Sequence, residues 1–159
     1  MKKSYSIAEA LQKLRHYCAY QERCHKEVKE KLYAMNMIPQ AVEQITGTLV
    51  SENYLNESRF AQQFTHGKFT IKHWGKIRIV RELKVRAVSD YDIQKAIMAI
   101  DTESYLNTLT SICQKKWNQL EGISLEQKKK KLYDYLAYRG WETELIYDQI
   151  GQLAENYRE

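Results

Sequence analysis

The residues best suited to do chemistry lie between Gly67 and Arg86. That segment carries Lys68, Lys72, Lys76, Arg78, Arg81, Lys84 and Arg86 against the single acid Glu82, a local net charge of +6. The 159-residue chain totals only +5, so the remaining residues sum to −1. Excess positive charge confined to one central segment points to an acidic partner, with nucleic acid or a nucleoprotein first. Arginine suits phosphate and carboxylate because its planar fork donates two parallel hydrogen bonds. Trp74 sits inside the cluster, and two roles are open for it. It wedges against a base or a partner's apolar patch, or it tucks a corner between two helices as a core residue.

Motifs of catalysis are missing. There is no phosphate-binding G-x-x-x-x-G-K-S/T loop, no G-x-G-x-x-G, no H-E-x-x-H and no G-x-S-x-G. Cys18, Cys24 and Cys113 are odd in number and scattered, so neither a disulfide framework nor a zinc site is expected. Cys18 reads as a core residue and His25 as part of a surface turn. His66 and His73, which flank the basic stretch, read as solvated. No enzyme, metal or cofactor is expected. The N-terminus lacks a signal-peptide apolar run, and no segment approaches the roughly 20 apolar residues of a membrane span. A cytosolic, cytoplasmic monomer with no membrane association is expected.

The elements that must position these charges are helices. Six Gly and one Pro are few for a sheet protein, while Leu, Glu, Gln, Lys and Ala abound. A first helix is predicted over about Ile7–Tyr20, with Ser6 and Glu9 as its capping box and Leu11, Leu14 and Cys18 as its stripe. A second covers about His25–Met35. A third begins at Pro39, where the missing N–H costs little. The fourth starts near Glu57 behind Asn56, carries Phe60 and Phe64, and extends to about Ile71. Gly75 marks a break. The fifth helix follows, with Ile77, Ile79, Val80 and Leu83 predicted on one face, Arg78 and Arg81 nearly opposite, and Lys84 and Arg86 flanking.

Ser89 and Asp92 cap a sixth helix bearing Ile93, Ile97 and Ile100. A seventh follows Asp101 with Leu106, Leu109, Cys113 and Trp117. Ser124 and Gln127 cap an eighth with Leu125, Leu132 and Leu136, and Gly140 follows it as a C′ glycine. The ninth carries Leu145, Ile146, Ile150 and Leu153. Lys128–Lys131 read as a solvated helix face, and Tyr133, Tyr135 and Tyr138 as half-buried packing residues that are also capable of stacking on bases.

A repeat underlies the helices. Leu32, Leu83 and Leu136 are 51 and 53 residues apart, and Val42, Ile93 and Ile146 keep both spacings. Three three-helix units are therefore expected over residues 1–53, 54–100 and 101–159. Such units stack along a line, so the expected fold is an all-α, elongated array.

At these residues the chain resembles the RecX family of regulators of the RecA recombinase. Arg23–Leu32 (RCHKEVKEKL), Tyr54–Ala61 (YLNESRFA) and Lys72–Leu83 (KHWGKIRIVREL) carry the resemblance. In the last of these, Gly75, Arg78, Ile79, Glu82 and Leu83 stand at the matching places. The third repeat matches only in helical pattern and length. Two positions depart from the family pattern. Ala87 stands where Gly is usual before the sixth helix, so that turn is expected to close differently. Cys24 stands where Ser is common, which weakens the second helix's N-cap.

The resemblance implies a curved stack of three repeats that docks into the groove of the RecA–single-stranded DNA filament. It also implies reduced ATPase, strand exchange and coprotease activity of RecA, in DNA repair and the SOS response. Arg59, Lys68, Lys72, Trp74, Lys76, Arg78, Arg81 and Lys84 are the expected contacts to RecA or the filament, with weak direct DNA binding alongside. Two other readings fit the residues. One is a transcription-factor-like helical protein that binds double-stranded DNA without RecA. The other is a scaffold that works through protein contacts alone.

Overall fold

The computed structural model describes residues 4–157. Among them are nine α-helices and no strand: α1 Ile7–Tyr20, α2 His25–Ala34, α3 Pro39–Ser51, α4 Glu57–Thr70, α5 Lys76–Val85, α6 Asp90–Met98, α7 Thr102–Gln119, α8 Leu125–Tyr138 and α9 Thr143–Glu155. The fold is the expected all-α helical repeat.

The caps explain where the helices begin. The Ser6 hydroxyl accepts from the Glu9 N–H at 3.1 Å, and the Glu9 carboxylate accepts from the Ser6 N–H at 3.1 Å. Ser124 and Gln127 repeat this reciprocal pair at 3.2 Å each. Asn56 and Asp101 accept from Arg59 N–H and Ser104 N–H, both at 2.9 Å. At α2, Glu27 still reaches back to the Cys24 N–H at 3.1 Å. Each cap satisfies an N–H that has no acceptor inside its own helix.

The helix ends show the repeat most clearly. Asn36, Ala87 and Gly140 all have positive φ, at 62°, 59° and 87°. They stand 51 and 53 residues apart, the register of the leucines. Each turn closes in the same way: the residue after the left-handed one donates to the leucine carbonyl. These bonds are Met37 N–H to Leu32 at 3.1 Å, Val88 N–H to Leu83 at 3.2 Å and Trp141 N–H to Leu136 at 3.2 Å. All three are Schellman turns. The expectation for Ala87 is therefore corrected. The turn keeps the left-handed geometry, and Ala87 bears the strain of a Cβ there.

The chain divides into two compact units, one of residues 1–64 and 83–96, the other of residues 65–82 and 97–159. In the first, α1, α2 and α3 enclose Ala10, Leu14, Cys18, Val28, Leu32, Met35, Val42, Ile45, Leu49 and Leu55. In the second, Tyr105, Leu109, Cys113, Trp117, Leu132, Leu136, Trp141, Ile146 and Ile150 are buried. Burying a side chain of Leu or Ile size contributes roughly 1.5–3 kcal/mol.

Two expectations about this second core are corrected. Leu106 is exposed, and its neighbour Tyr105 takes the buried position. Lys128 is not on a solvated face: it is only 8% exposed, with Nζ 4.5 Å from the Trp117 ring centroid and 5.0 Å from that of Tyr157. Its long stem packs like an aliphatic chain while the ammonium is held by the ring faces.

Two stability changes are expected at the turns. Ala87→Gly is expected to raise unfolding free energy in urea by about 1 kcal/mol, because it relieves the left-handed Cβ. Gly140→Ala is expected to lower it by about 2–5 kcal/mol, since a Cβ there would lie 2.2 Å from that of Arg78 in addition to the strain. Burial pushes the thiols up, to about 11 for Cys18 and about 12 for Cys24 and Cys113. At about pH 8 all three stay protonated, and a disulfide reagent should modify them only after denaturation. A folded pKa above the unfolded one gives stability that is present below about pH 8.5 and lost as pH rises toward 11–12.

Candidate functional site

The start of α5 is where the basic segment meets the rest of its unit. The first N–H groups of a helix need outside acceptors. Here the α8–α9 turn and α7 supply them. Gly75 N–H donates to the Arg139 carbonyl at 2.8 Å, Ile77 N–H to the Gly140 carbonyl at 3.0 Å, and Lys76 N–H to the Tyr105 hydroxyl at 2.8 Å. Tyr105 donates its own proton to the Glu142 carboxylate. Burial and that carboxylate push the Tyr105 phenol well above its ordinary range, so it stays a donor.

Glycine at both contact points makes the approach possible. A Cβ on Gly75 would lie 2.4 Å from the Gly140 oxygen. Trp141 fills the space beneath, buried, with its indole N–H donating to the His73 carbonyl at 3.0 Å. Trp141 rather than Trp74 is thus the core residue of the α4–α5 corner. Its ring lies 4.5 Å from Tyr105, which lies 5.6 Å from Phe69.

Trp74 is half-buried and forms one wall of a cation stack. The Arg78 guanidinium carbon lies 4.1 Å from the Trp74 ring centroid and 4.8 Å from that of Tyr138. Arg78 also donates to the Tyr138 carbonyl at 3.3 Å. Lys68 lies 4.9 Å from Trp74, and Lys76 4.6 Å from Tyr105. Tyr138 is 70% exposed rather than half-buried, so its ring stands as the outer wall of this stack. Tyr133 packs as expected, stacked on Tyr147 at 5.4 Å.

The structure therefore brings Lys68, Trp74 and Arg78 together, and it revises the face expected for α5. Ile77 is 49% exposed, whereas Arg78 turns onto its own unit's rings. The reason is that the α8–α9 turn packs directly against the backbone of Arg78, so that side of the first turn faces protein. The outward stripe of α5 is Ile77, Arg81, Lys84 and Val85, at i, i+4, i+7 and i+8. Among the described residues Lys72, Arg81 and Lys84 are exposed, and their side chains make no hydrogen bond, ion pair or ring contact.

Arg59 lies in the first unit, and its donors are committed there. It pairs with Glu22 and donates to Asn53 Oδ1 at 3.2 Å and to the Asn53 carbonyl at 3.0 Å. It ties the turn before α4 to the α1–α2 connection, and the structure gives it a positioning role. His25 likewise belongs to a junction, donating its backbone N–H to Glu57 at 2.8 Å.

Sequence reasoning missed Tyr105, Tyr138 and Trp141 as partners of the basic segment. The glycines at 75 and 140 were visible, but nothing in their spacing says that they touch. Among the described residues there is no group of three or more candidate metal ligands, and no helix is long and apolar enough to cross a membrane.

Helices without strands, joined by recurrent left-handed turns and carrying unpaired cations on one helix, define an all-α helical-repeat protein. The chain belongs to the RecX family. The model of the second RecX three-helix domain matches residues 56–97, and that of the third matches residues 103–150.

Similar proteins include the regulatory protein RecX of Lactobacillus johnsonii, 26% identical over 94% of this chain and 56% of that protein. That of Enterococcus faecalis is 23% identical over 97% and 58%, and that of Prosthecochloris aestuarii is 26% identical over 93% and 95%. The chain thus spans about half the length of several curated relatives it matches. Two solved structures share the fold. The crystal structure of RecX from Lactobacillus salivarius aligns with a TM-score of 0.81 at 20% identity, covering 95% of this chain and 97% of that one. A second crystal structure, of regulatory protein RecX, aligns at 0.83 and 18% identity, covering 92% and 73%.

The stack makes Arg78 a stability residue. Arg78→Ala is expected to lower unfolding free energy by about 1–2 kcal/mol, from two lost cation–π contacts and a hydrogen bond. Arg81→Ala is expected to change it by less than about 0.5 kcal/mol. Urea titration of both variants checks this, and equal losses would contradict the division.

Proposed function

We propose that this chain is a non-enzymatic regulator that binds RecA and the RecA–single-stranded DNA filament. It lowers the filament's ATPase, recombinase and coprotease activities and acts in the cytoplasm, as a monomer, in DNA repair and the SOS response. Its repeats are those of residues 1–53, 54–100 and 101–159. The observation that carries this reading is the row of unpaired cations, Lys72, Arg81 and Lys84, on and beside α5 in a chain of the RecX family.

The chemistry supports a nucleoprotein partner. Arg81 and Lys84 suit phosphate oxygens and surface carboxylates, while Ile77 and Val85 on the same stripe suit an apolar protein patch. A face that mixes both fits a surface made of protein and nucleic acid together. In this proposal Lys72, Arg81 and Lys84 make the contacts. Lys68, Trp74, Lys76 and Arg78 hold the shape that presents Lys72 and Arg81, and Arg59 orders the turn before α4 within its own unit.

The test is RecA ATPase on single-stranded DNA, titrated with this protein below one copy per RecA. The expected result is loss of ATPase at sub-stoichiometric amounts. The combined variant Lys72→Ala, Arg81→Ala and Lys84→Ala should need about tenfold more protein, or roughly 1.4 kcal/mol, with its unfolding midpoint unchanged. No effect of the wild-type chain at excess and low salt would overturn the proposal.

A further inference from the structure

The second unit holds a groove that the α5 stripe does not use. It is a cavity of about 520 Å³ along one face of α7. Asn107, Ser111, Lys115 and Gln119 follow one another at steps of four, so they form one row along the helix. At 1.5 Å per helical residue the row is roughly 18 Å long. His73, in the turn after α4, and Tyr135 of α8 complete the walls, and half-buried Ile112 adds an apolar spot. No carboxylate lines it. The neighbouring groove between α8 and α9 is different, because Glu126 and Asp134 there pair with Lys129 and Lys130 at 3.6 and 3.0 Å.

Positive charge gathers at one end of the row. Lys115 is exposed, and its side chain has no partner among the described residues. The Arg139 guanidinium carbon lies 3.8 Å from the Tyr135 ring centroid, and Lys116 Nζ lies 4.8 Å from it. A ring contact holds a cation in place and leaves its N–H groups able to donate. These cations select an anion, and the rest of the groove decides which kind. The side chains of Asn107, Ser111 and Gln119 also lack a partner, and each can both donate and accept. A peptide backbone brings N–H and C=O groups alike, whereas a phosphodiester backbone brings acceptors only. A strand of nucleic acid also needs an open ring face for its bases, and two cations already occupy that of Tyr135. An extended chain advances about 3.3–3.6 Å per residue, so the row accommodates about five residues of peptide.

We propose that the α7–α8 groove is a docking site for an extended acidic peptide segment of a partner protein. The segment's carboxylates meet Lys115, Lys116 and Arg139. Its backbone bonds to Asn107, Ser111 and Gln119, and one apolar side chain rests on Ile112. Charge complementarity sets the direction, with the acidic end of the segment at the Lys115–Lys116 end of the row. The site is separate from the cations of α5 and holds whether or not those cations meet RecA.

The experiment is fluorescence anisotropy, without RecA, using the fluorescein-labelled peptide Asp-Glu-Asp-Glu-Leu-Leu and its neutral counterpart Asn-Gln-Asn-Gln-Leu-Leu. The acidic peptide should bind about tenfold or more tightly than the neutral one. Lys115→Ala with Lys116→Ala should weaken its binding by about tenfold. Ser111→Trp fills the groove without removing a charge and should weaken binding as much, which separates a groove from general attraction to a basic chain. Lys129→Ala with Lys130→Ala, in the neighbouring groove, should leave the affinity unchanged. No binding of the acidic peptide, equal binding of the neutral one, or an unchanged affinity in the Lys115 and Lys116 variant would overturn the proposal. Oligothymidylate that binds more tightly than the peptide and is lost in Ser111→Trp would overturn it as well, by assigning the groove to nucleic acid.

Discussion

The backbone contact between Gly75 and Gly140 is the constraint on which the second unit depends. Two glycines let the start of α5 reach the α8–α9 turn closely enough for Gly75 and Ile77 to donate to Arg139 and Gly140. Three open N–H groups of one helix are thereby matched by acceptors from elements more than sixty residues away or, for Lys76, by the Tyr105 hydroxyl. A side chain at either glycine would replace hydrogen bonds with overlap. The buried Tyr105 and Trp141, with Glu142 as the acceptor of the Tyr105 hydroxyl, then fix the distance between the helices from beneath.

This contact divides the basic helix by function. Because the α8–α9 turn covers one side of its first turn, Arg78 bends back onto Trp74 and Tyr138. A guanidinium between two rings is held in place, and it contributes to stability what it does not offer to a partner. One turn on, nothing in its own unit claims Arg81, and it stays exposed. The charge excess that dominates the sequence is therefore partly structural. The cations available to another molecule are fewer than the local +6 suggests, and they lie beside exposed Ile77 and Val85.

Much of this was legible in the sequence. Helix starts were readable because Ser6, Asn56, Asp101 and Ser124 mark them chemically. The repeat was readable because Leu32, Leu83 and Leu136 end equivalent helices, and the three left-handed turns carry the same register. Ala87 shows the limit of arguing from residue type: the turn's hydrogen bonds and the burial of Val88 outweigh a strain of about 1–2 kcal/mol. Arg78, Lys128 and Tyr138 show another limit. A helical wheel gives each side chain a direction, but which neighbour occupies that direction depends on contacts between residues far apart in the chain. Lys128 looked solvated among four lysines, and only the approach of Trp117 and Tyr157 encloses it.

The proposed function depends on a face that mixes free cations with exposed apolar residues, on a chain whose family is RecX. Such a face should distinguish a nucleoprotein surface from nucleic acid alone. The most direct measurement is equilibrium binding of this chain to a RecA filament on single-stranded DNA and, at the same salt, to that DNA without RecA. The account predicts clearly tighter binding to the filament. Equal affinity for the two would contradict it.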